Sequence, residues 1–166
     1  PPYNISCNGK SDGEINLFVT GGIPGTTGTD YSYQWSISGV TGATAGSLSA
    51  GPYTVTVTDS TGCSVTKSFT LTEPPALYAG NDFTVSICGI DTSTLTASTP
   101  LYGLGKWILK SGSAVIVHPD SVTTQINAIG NGVNVFAWVV YDNNCSDTAI
   151  YIINKKEKII ADAGID

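Results

Sequence analysis

The stretch Tyr53-Thr54-Val55-Thr56-Val57-Thr58 alternates apolar and hydroxyl-bearing side chains without interruption. In an extended strand, successive side chains point to opposite faces, so the ring and the valines share one face and the threonines the other. Short alternating runs recur along the chain, and helical periodicity does not appear. In the first half they cover residues 14–20, 31–37, 53–58 and 65–72.

The second half continues the same pattern, with predicted strands at residues 83–87, 93–97, 105–109, 114–117, 123–128, 133–141 and 148–153. Turn-forming pairs such as Gly21-Gly22 and Asn131-Gly132 separate the runs. Many short strands at this spacing predict an all-β chain built as a β-sandwich.

The segment Glu73-Pro74-Pro75-Ala76 interrupts the β pattern. Consecutive prolines cannot donate to a ladder and favour extended polyproline geometry, so the segment is interpreted as a short, semi-rigid linker. We therefore expect two tandem Ig-like β-sandwich modules, at residues 1–75 and 76–157. Because residues 161–166 are similar to residues 77–82, we expect residues 158–166 to begin a following module of a tandem array.

The composition excludes several classes of function. The 166 residues include no Arg, 7 Lys against 13 acidic residues, and 38 Ser and Thr, and the net charge is −6. A chain without a basic cluster is not expected to bind nucleic acid or anionic membrane surfaces. No apolar run approaches the roughly 18 residues that would span a bilayer, so we expect no direct membrane insertion.

The sequence also offers little material for an active site. His118 is the single histidine and precedes Pro119, which is typical of an extended or turn residue in an exposed loop. A hydrolase triad needs a histidine beside a nucleophile and an acid, so we expect no enzyme activity and no cofactor. Calcium is the one candidate ion, through Asp12, Asp59 and Asp142, although turn-forming aspartates are the more frequent explanation of such positions.

Four cysteines, Cys7, Cys63, Cys88 and Cys145, are separated by gaps of 56, 25 and 57 residues. Scattered thiols with one histidine do not suit a zinc site. The near-equal gaps predict two disulfides, Cys7–Cys63 and Cys88–Cys145, each pinning the start of a module to its final hairpin. The alternative is four buried free thiols. Disulfides in a Thr- and Ser-rich chain would indicate an exported protein.

Aromatic residues allow two interpretations. Trp35, Trp107 and Trp138 alternate with polar neighbours inside predicted strands, which is typical of core packing. The alternative is a sugar-stacking platform, for which these rings, or those of Tyr31, Tyr33 and Tyr102, would have to be exposed and coplanar. The three tyrosines are therefore candidate glycan contacts, and a surface polysaccharide is a candidate partner beside the neighbouring modules of the same chain.

Residues 5–75 resemble the SprB repeat. The resemblance lies in three stretches: Ile5-Ser6-Cys7-Asn8-Gly9-Lys10-Ser11-Asp12-Gly13-Glu14-Ile15, Leu48-Ser49-Ala50-Gly51-Pro52-Tyr53-Thr54-Val55-Thr56-Val57-Thr58-Asp59, and Thr72-Glu73-Pro74-Pro75. Residues 23–30 depart from the repeat by an insertion. Residues 76–157 resemble PKD-like and other Ig-like modules through Gly105-Lys106-Trp107 and Asn134-Val135-Phe136-Ala137-Trp138.

The resemblance implies a repeat segment of a large adhesin on the cell surface of gliding Bacteroidota, exported by type IX secretion. In such a protein the two modules would serve gliding motility or surface attachment as a non-enzymatic stalk or adhesive module. The alternative is a pair of carbohydrate-binding accessory modules in a secreted polysaccharide-degrading enzyme.

Overall fold

The computed structural model describes residues 2–23 and 31–160, and the regular structure in those two segments is β-strand throughout. The described residues thus form no helix of the length and apolarity that crossing a membrane requires. The chain divides into two units, Pro1–Ala76 and Leu77–Asp166. Residues 161–166, which the sequence assigns to the start of a following module, lie outside the described residues.

The first unit is a sandwich of two three-stranded sheets, in the orders β1-β2-β4 and β3-β5-β6. Its strands are β1 (Pro2–Tyr3), β2 (Gly13–Asn16), β3 (Ser32–Trp35), β4 (Thr44–Leu48), β5 (Gly51–Thr58) and β6 (Ser64–Leu71). All pairings in both sheets are antiparallel. Strand β5 has its tyrosine and valines buried, as the alternation predicts.

Residues of both sheets build one core in this unit. Ile15 and Leu48 come from the first sheet, and Trp35, Val55 and Leu71 come from the second. Trp35 is 7% exposed, and its Nε1–H donates to the carbonyl of Gly42 at 3.0 Å. The expectation of a core tryptophan is confirmed here.

The second unit is a sandwich of a four-stranded sheet, β7-β13-β12-β9, and a three-stranded sheet, β10-β11-β8. Its strands are β7 (Phe83–Cys88), β8 (Ser93–Thr96), β9 (Leu104–Ser111), β10 (Val115–Ile116), β11 (Thr123–Asn127), β12 (Gly132–Asp142) and β13 (Cys145–Lys156). The other four strand pairings in this unit are antiparallel, whereas β7 pairs with β13 in parallel. The first strand of the unit therefore lies beside its last.

An aromatic cluster fills the centre of the second core. The ring of Trp107 lies 5.1 Å from that of Trp138 and 4.8 Å from that of Tyr151, centroid to centroid. Both tryptophans are 1% exposed. The Trp138 ring lies so close across β9 that a Cβ on Gly105 would be 2.0 Å from its Cζ2 atom. Glycine is therefore the residue that this contact requires.

Asn134 is a buried polar residue that ties two loops to β12. Its Nδ2 donates to the carbonyls of Gly130 at 2.8 Å and Gly132 at 3.2 Å, and its Oδ1 accepts from the N–H of Ser113 at 2.9 Å. The side chain has both donor and acceptor satisfied, which is the condition for burying an amide at low cost.

Both ends of the proline linker are anchored within their own units. Gly9 N–H donates to the Glu73 carboxylate at 2.7 Å, and Asn8 Nδ2 donates to the Pro74 carbonyl at 3.2 Å. On the other side, Ala79 is fully buried and its N–H donates to Asp147 at 2.8 Å. The stretch between these anchors is residues 75–78.

Two strands escape the periodicity analysis. Strand β4 contains Ala45, Gly46 and Ser47, residues of low strand preference, and Ser47 has a φ of 57°. Strand β1 is two residues long and begins with proline. Both belong to the β1-β2-β4 sheet, so the sequence describes that sheet less completely than the other three.

We predict that Gly105→Ala destabilises the second unit by about 3 kcal/mol, because the new methyl group would overlap the Trp138 ring. Urea unfolding followed by tryptophan fluorescence measures this cost. Gly46→Ala is the matched control, since its Cβ would meet nothing within 4 Å, and we expect it to change stability by less than about 0.5 kcal/mol. Equal effects of the two substitutions would contradict the contact.

Asn134→Leu is expected to lower stability by about 3 kcal/mol, because it leaves the Ser113 N–H and two carbonyls without their buried partner. The measurement is the midpoint of thermal unfolding by circular dichroism. Asn131→Leu serves as the control, since Asn131 is exposed and donates to Glu157 at the surface. A loss no larger than that of the control would rule out a structural role for Asn134.

Candidate functional site

The two predicted disulfides are not formed, because Cys63 and Cys88, one member of each pair, are exposed free thiols. Cys7 and Cys145 are not free thiols. The pairing prediction is therefore wrong for both Cys7–Cys63 and Cys88–Cys145, and strand direction explains why.

In the first unit, Cys7 and Cys63 lie at opposite ends of β6. Cys63 immediately precedes β6, whereas Ile5, two residues before Cys7, bonds through its N–H to the carbonyl of Thr72, just after β6. Eight strand residues separate these ends by roughly 25 Å at about 3.3 Å per residue. A disulfide requires Cα atoms within about 7 Å.

The same geometry separates the second pair. Cys145 is the first residue of β13, and Cys88 is in register with Lys156, its last. The length of β13 therefore puts them roughly 35 Å apart. A Cys88–Cys145 disulfide would require the start of the module and its final turn to lie at the same end of the sandwich. Strand β13 instead runs from Cys145 at one end to Lys156, beside Cys88, at the other.

The candidate glycan contacts do not share one environment. Tyr31 and Tyr33 are half-buried and pack against the core of the first unit, and the Tyr31 hydroxyl donates to the Gly21 carbonyl at 2.6 Å. Tyr102 is 49% exposed in a loop of the second unit. With Trp35, Trp107 and Trp138 buried, the tryptophans are not available for stacking on a sugar.

The residues considered for catalysis and for calcium binding take part in local hydrogen bonds. His118 is exposed in the loop between β10 and β11, and its backbone N–H donates to Thr124 Oγ1 at 2.9 Å. Asp12 accepts from the N–H of Ser6 at 2.9 Å and from the Ser6 hydroxyl, and these bonds lower the pKa of the Asp12 carboxyl. Within residues 2–23 and 31–160, three or more His, Cys, Asp or Glu side chains nowhere gather as a metal site would need.

Asp59 organises the turn between β5 and β6. Its Oδ1 accepts from the N–H groups of Thr61 and Cys63, both at 2.9 Å, and its Oδ2 accepts from the Ile23 N–H at 3.1 Å. The hydrogen bond from Ile23, then that from the Thr61 hydroxyl, lower the pKa of Asp59 from 3.8 to about 2. These bonds give Asp59 the turn-forming role that the sequence favoured over calcium binding. Asp142, at the matching turn before β13, accepts from Asn143 Nδ2 at 3.3 Å.

A concavity in the second unit lies along the open side of the sandwich between β7 and β8. We call it the edge groove. It has a volume of about 620 Å³ and is lined by Asn81, Asp82, the inward side chains of β7, residues 93–98, Tyr151 and Ile153. Such a volume falls in the range of ligand-binding clefts.

The groove has an apolar floor and a polar rim. Val85, Ile87 and Leu95 form part of its floor, whereas the hydroxyl groups of residues 93, 94, 96 and 98 lie along β8 and just beyond it. At one end, the Asp82 carboxylate accepts from the Ile150 N–H at 2.7 Å. Burial, and then the charge of Asp82, raise the pKa of the Tyr151 hydroxyl.

Sequence reasoning missed the groove although it predicted both of its strands. The sequence alone does not reveal it, because the absence of charge from β7 and β8 is shared by the edge strands β3, β4 and β10. Edge strands of soluble proteins commonly carry lysine, as β6 does with Lys67 and β9 with Lys106 and Lys110.

We predict that Asp59→Asn destabilises the first unit at neutral pH, because an amide cannot accept both the Ile23 bond and those of the turn. Since folding lowers the Asp59 pKa, its stabilising contribution is complete above the ordinary value of 3.8 and is lost as the pH falls through about 2. Denaturant unfolding of both proteins across this range should show their difference shrinking toward pH 2.

Asp142→Asn is the control for that series, since Asp142 is an exposed turn carboxylate in the second unit. A difference between wild type and Asp59→Asn that does not change with pH would exclude the ionised carboxylate as its cause.

No family model and no curated protein matches the sequence. Solved structures with a similar fold include the PKD domain from KIAA 1837 protein, at 18% identity over 58% of this chain and 100% of that chain, with a TM-score of 0.42. Domains 4 and 5 of the S-layer protein SbsC match at 13% identity over 86% and 80%, with a TM-score of 0.30. The titin domains z1z2 match at 10% identity over 95% and 93%, with a TM-score of 0.37. These similarities concern the fold alone, and the strand orders above establish that fold as Ig-like and PKD-like sandwiches.

Proposed function

We propose that this chain is a non-enzymatic, load-bearing segment of a large secreted adhesin, acting as a stalk in surface attachment or gliding motility. The observation that carries the proposal is the parallel pairing of β7 with β13. The other support is the likeness of residues 5–75 to the SprB repeat and the presence of two sandwich units in series along one chain.

The β7–β13 ladder is arranged to resist tension applied to the ends of the second unit. Six residue pairs join the strands, from Phe83 with Tyr151 to Cys88 with Lys156. The chain enters the ladder at Phe83 and leaves it at Lys156, which lie at opposite ends. Pulling on the entry and exit points therefore slides one strand along the other. All the hydrogen bonds of the ladder are then strained together.

The first unit lacks such an arrangement. Its first strand, β1, is joined to β2 through two residue pairs, Pro2 with Ile15 and Tyr3 with Glu14. Beyond β1, the Ile5 N–H bonds to the Thr72 carbonyl at 3.0 Å, and Asn4 Oδ1 accepts from the Thr72 N–H at 3.0 Å. With the bonds of Asn8 to Pro74 and of Gly9 to Glu73, four hydrogen bonds among the described residues join its terminal segments, against the six residue pairs of the β7–β13 ladder.

An extracellular location fits the same proposal. Cys7 and Cys145 are oxidised cysteines, which are typical of exported proteins. The neighbouring modules of the array are the proposed partners along the chain, and type IX secretion is the proposed route. The carbohydrate-binding alternative is disfavoured because the three tryptophans are buried.

Force spectroscopy on the full chain, held by its two ends in the presence of a thiol reductant, tests the proposal. We expect two unfolding events, and the one with the larger gain in contour length, from Leu77–Asp166, should need the higher force. Forced unfolding reports the unfolding rate. Equal forces for the two events, or a lower force for the longer one, would contradict a load-bearing β7–β13 ladder.

A pair of proline variants isolates the ladder. The Gly89 N–H donates to the Lys156 carbonyl, and since alternate residues of β7 face the same way, the Val85 N–H points to β13 and the Ser86 N–H points away. Val85→Pro should remove one bond of about 1 kcal/mol and speed unfolding roughly fivefold. Ser86→Pro should leave the force unchanged, and Val85→Ala corrects for the lost side chain.

A further inference from the structure

We propose that the edge groove binds an extended peptide segment of another polypeptide, which adds a strand to β8. The segment would lie antiparallel to β8, with apolar side chains at alternate positions facing the groove floor and a cationic group near Asp82. Side chains of β7 and β13 line part of the groove, but the strand that would receive the peptide is β8, which takes no part in the β7–β13 ladder.

Strand β8 has backbone hydrogen-bonding groups that face the groove. Strand β8 ends its sheet and pairs with β11 on one side. The Ala97 N–H donates to the Val122 carbonyl at 3.0 Å on that side. Because hydrogen-bonding direction alternates along an antiparallel strand, the N–H and C=O groups of Thr94 and Thr96 point the other way, toward the groove.

In the first unit, the strand that corresponds to β8 in chain order is β2, and its edge is covered by another strand. There β2 has β4 on one side and β1 on the other, and β1 is a short extended segment paired antiparallel to β2. In the second unit the first strand pairs with β13 instead. The position beside β8 that a strand would occupy is the edge groove.

The lining of the groove is apolar on one side and carries hydroxyl groups on the other. Val85, Ile87 and Leu95 present apolar surface on the inner side of the groove, and the threonines of β8 line its outer side. A strand displays alternate side chains to opposite faces, so a peptide of alternating apolar and polar residues matches both sides at once. Asp82 is the charged residue of the lining, and it favours a basic group at that end of the peptide.

Strand β8 lacks the charged side chains that protect two other edge strands. Lysines on β6 and β9 discourage strand addition at those edges, whereas β7 and β8 carry neither lysine nor proline nor any other charge. Main-chain hydrogen bonds from Thr94 and Thr96 would supply affinity, and the floor would supply sequence preference.

The test is titration of the isotopically labelled full chain with a short synthetic peptide in which a lysine precedes alternating valine and threonine residues. We expect saturable shifts of the backbone amide signals of Thr94 and Thr96. Thr94→Pro removes the outward N–H while sparing the bonds to β11, and should weaken binding roughly tenfold. Thr94→Ala keeps the N–H and should bind within about threefold of wild type.

Two further variants test the second outward N–H of β8 and the carboxylate of Asp82. Thr96→Pro removes the other outward donor, and it replaces Thr94→Pro if circular dichroism shows that the latter is unfolded. Asp82→Asn retains an acceptor for the Ile150 N–H and should abolish the preference for the lysine peptide over its norleucine analogue.

The remaining outcomes would overturn the proposal. Absence of amide shifts at millimolar peptide would do so. Binding of an oligosaccharide to the groove that survives Thr94→Pro would assign the groove to a sugar. Concentration-dependent dimerisation that Thr94→Pro abolishes would assign the edge to a second copy of the chain.

Discussion

The pairing of β7 with β13 is the constraint on which the second unit depends. A first strand can join either sheet of a sandwich, and in this unit it joins the sheet that contains the last strand. That choice places the entry and exit of the chain at opposite ends of one parallel ladder. It also withholds a partner from β8, which leaves an open groove between the sheets. The load-bearing ladder and the binding edge that we propose are thus two consequences of a single pairing.

Alternation along individual strands was the most informative property of the sequence. Each of the seven strands of the second unit has a predicted counterpart, and burial of Trp35, Trp107 and Trp138 was expected from their polar neighbours. Periodicity is local and reports which face of a strand is buried. It failed for β4 because glycine, alanine and serine carry little strand preference, and an unusual φ at Ser47 interrupts the repeat.

The sequence predictions failed for features that depend on which strands pair with one another in the folded unit. The disulfide prediction used spacing along the chain, but Cys63 and Cys145 precede strands long enough to carry the chain across the sandwich. The edge groove was missed for a related reason, since nothing local to Phe83–Cys88 states whether it pairs with β8 or with β13. Close packing also depends on contacts between strands, because the need for glycine at position 105 arises from Trp138, a residue of another strand.

Charge placement bears on how two sandwich units coexist on one chain. Sandwich units on one chain have a high effective concentration for one another, so exposed edges would pair wrongly unless they are protected. Lys67, Lys106 and Lys110 give that protection to β6 and β9 in a chain that has only 7 lysines. The edge of β8 carries no charge, as is also true of the edge strands β3, β4, β7 and β10. A short strand of four residues limits unspecific pairing, and the apolar floor beside it admits only a segment with matching alternation. The binding edge that we propose would thereby be selective without being charged.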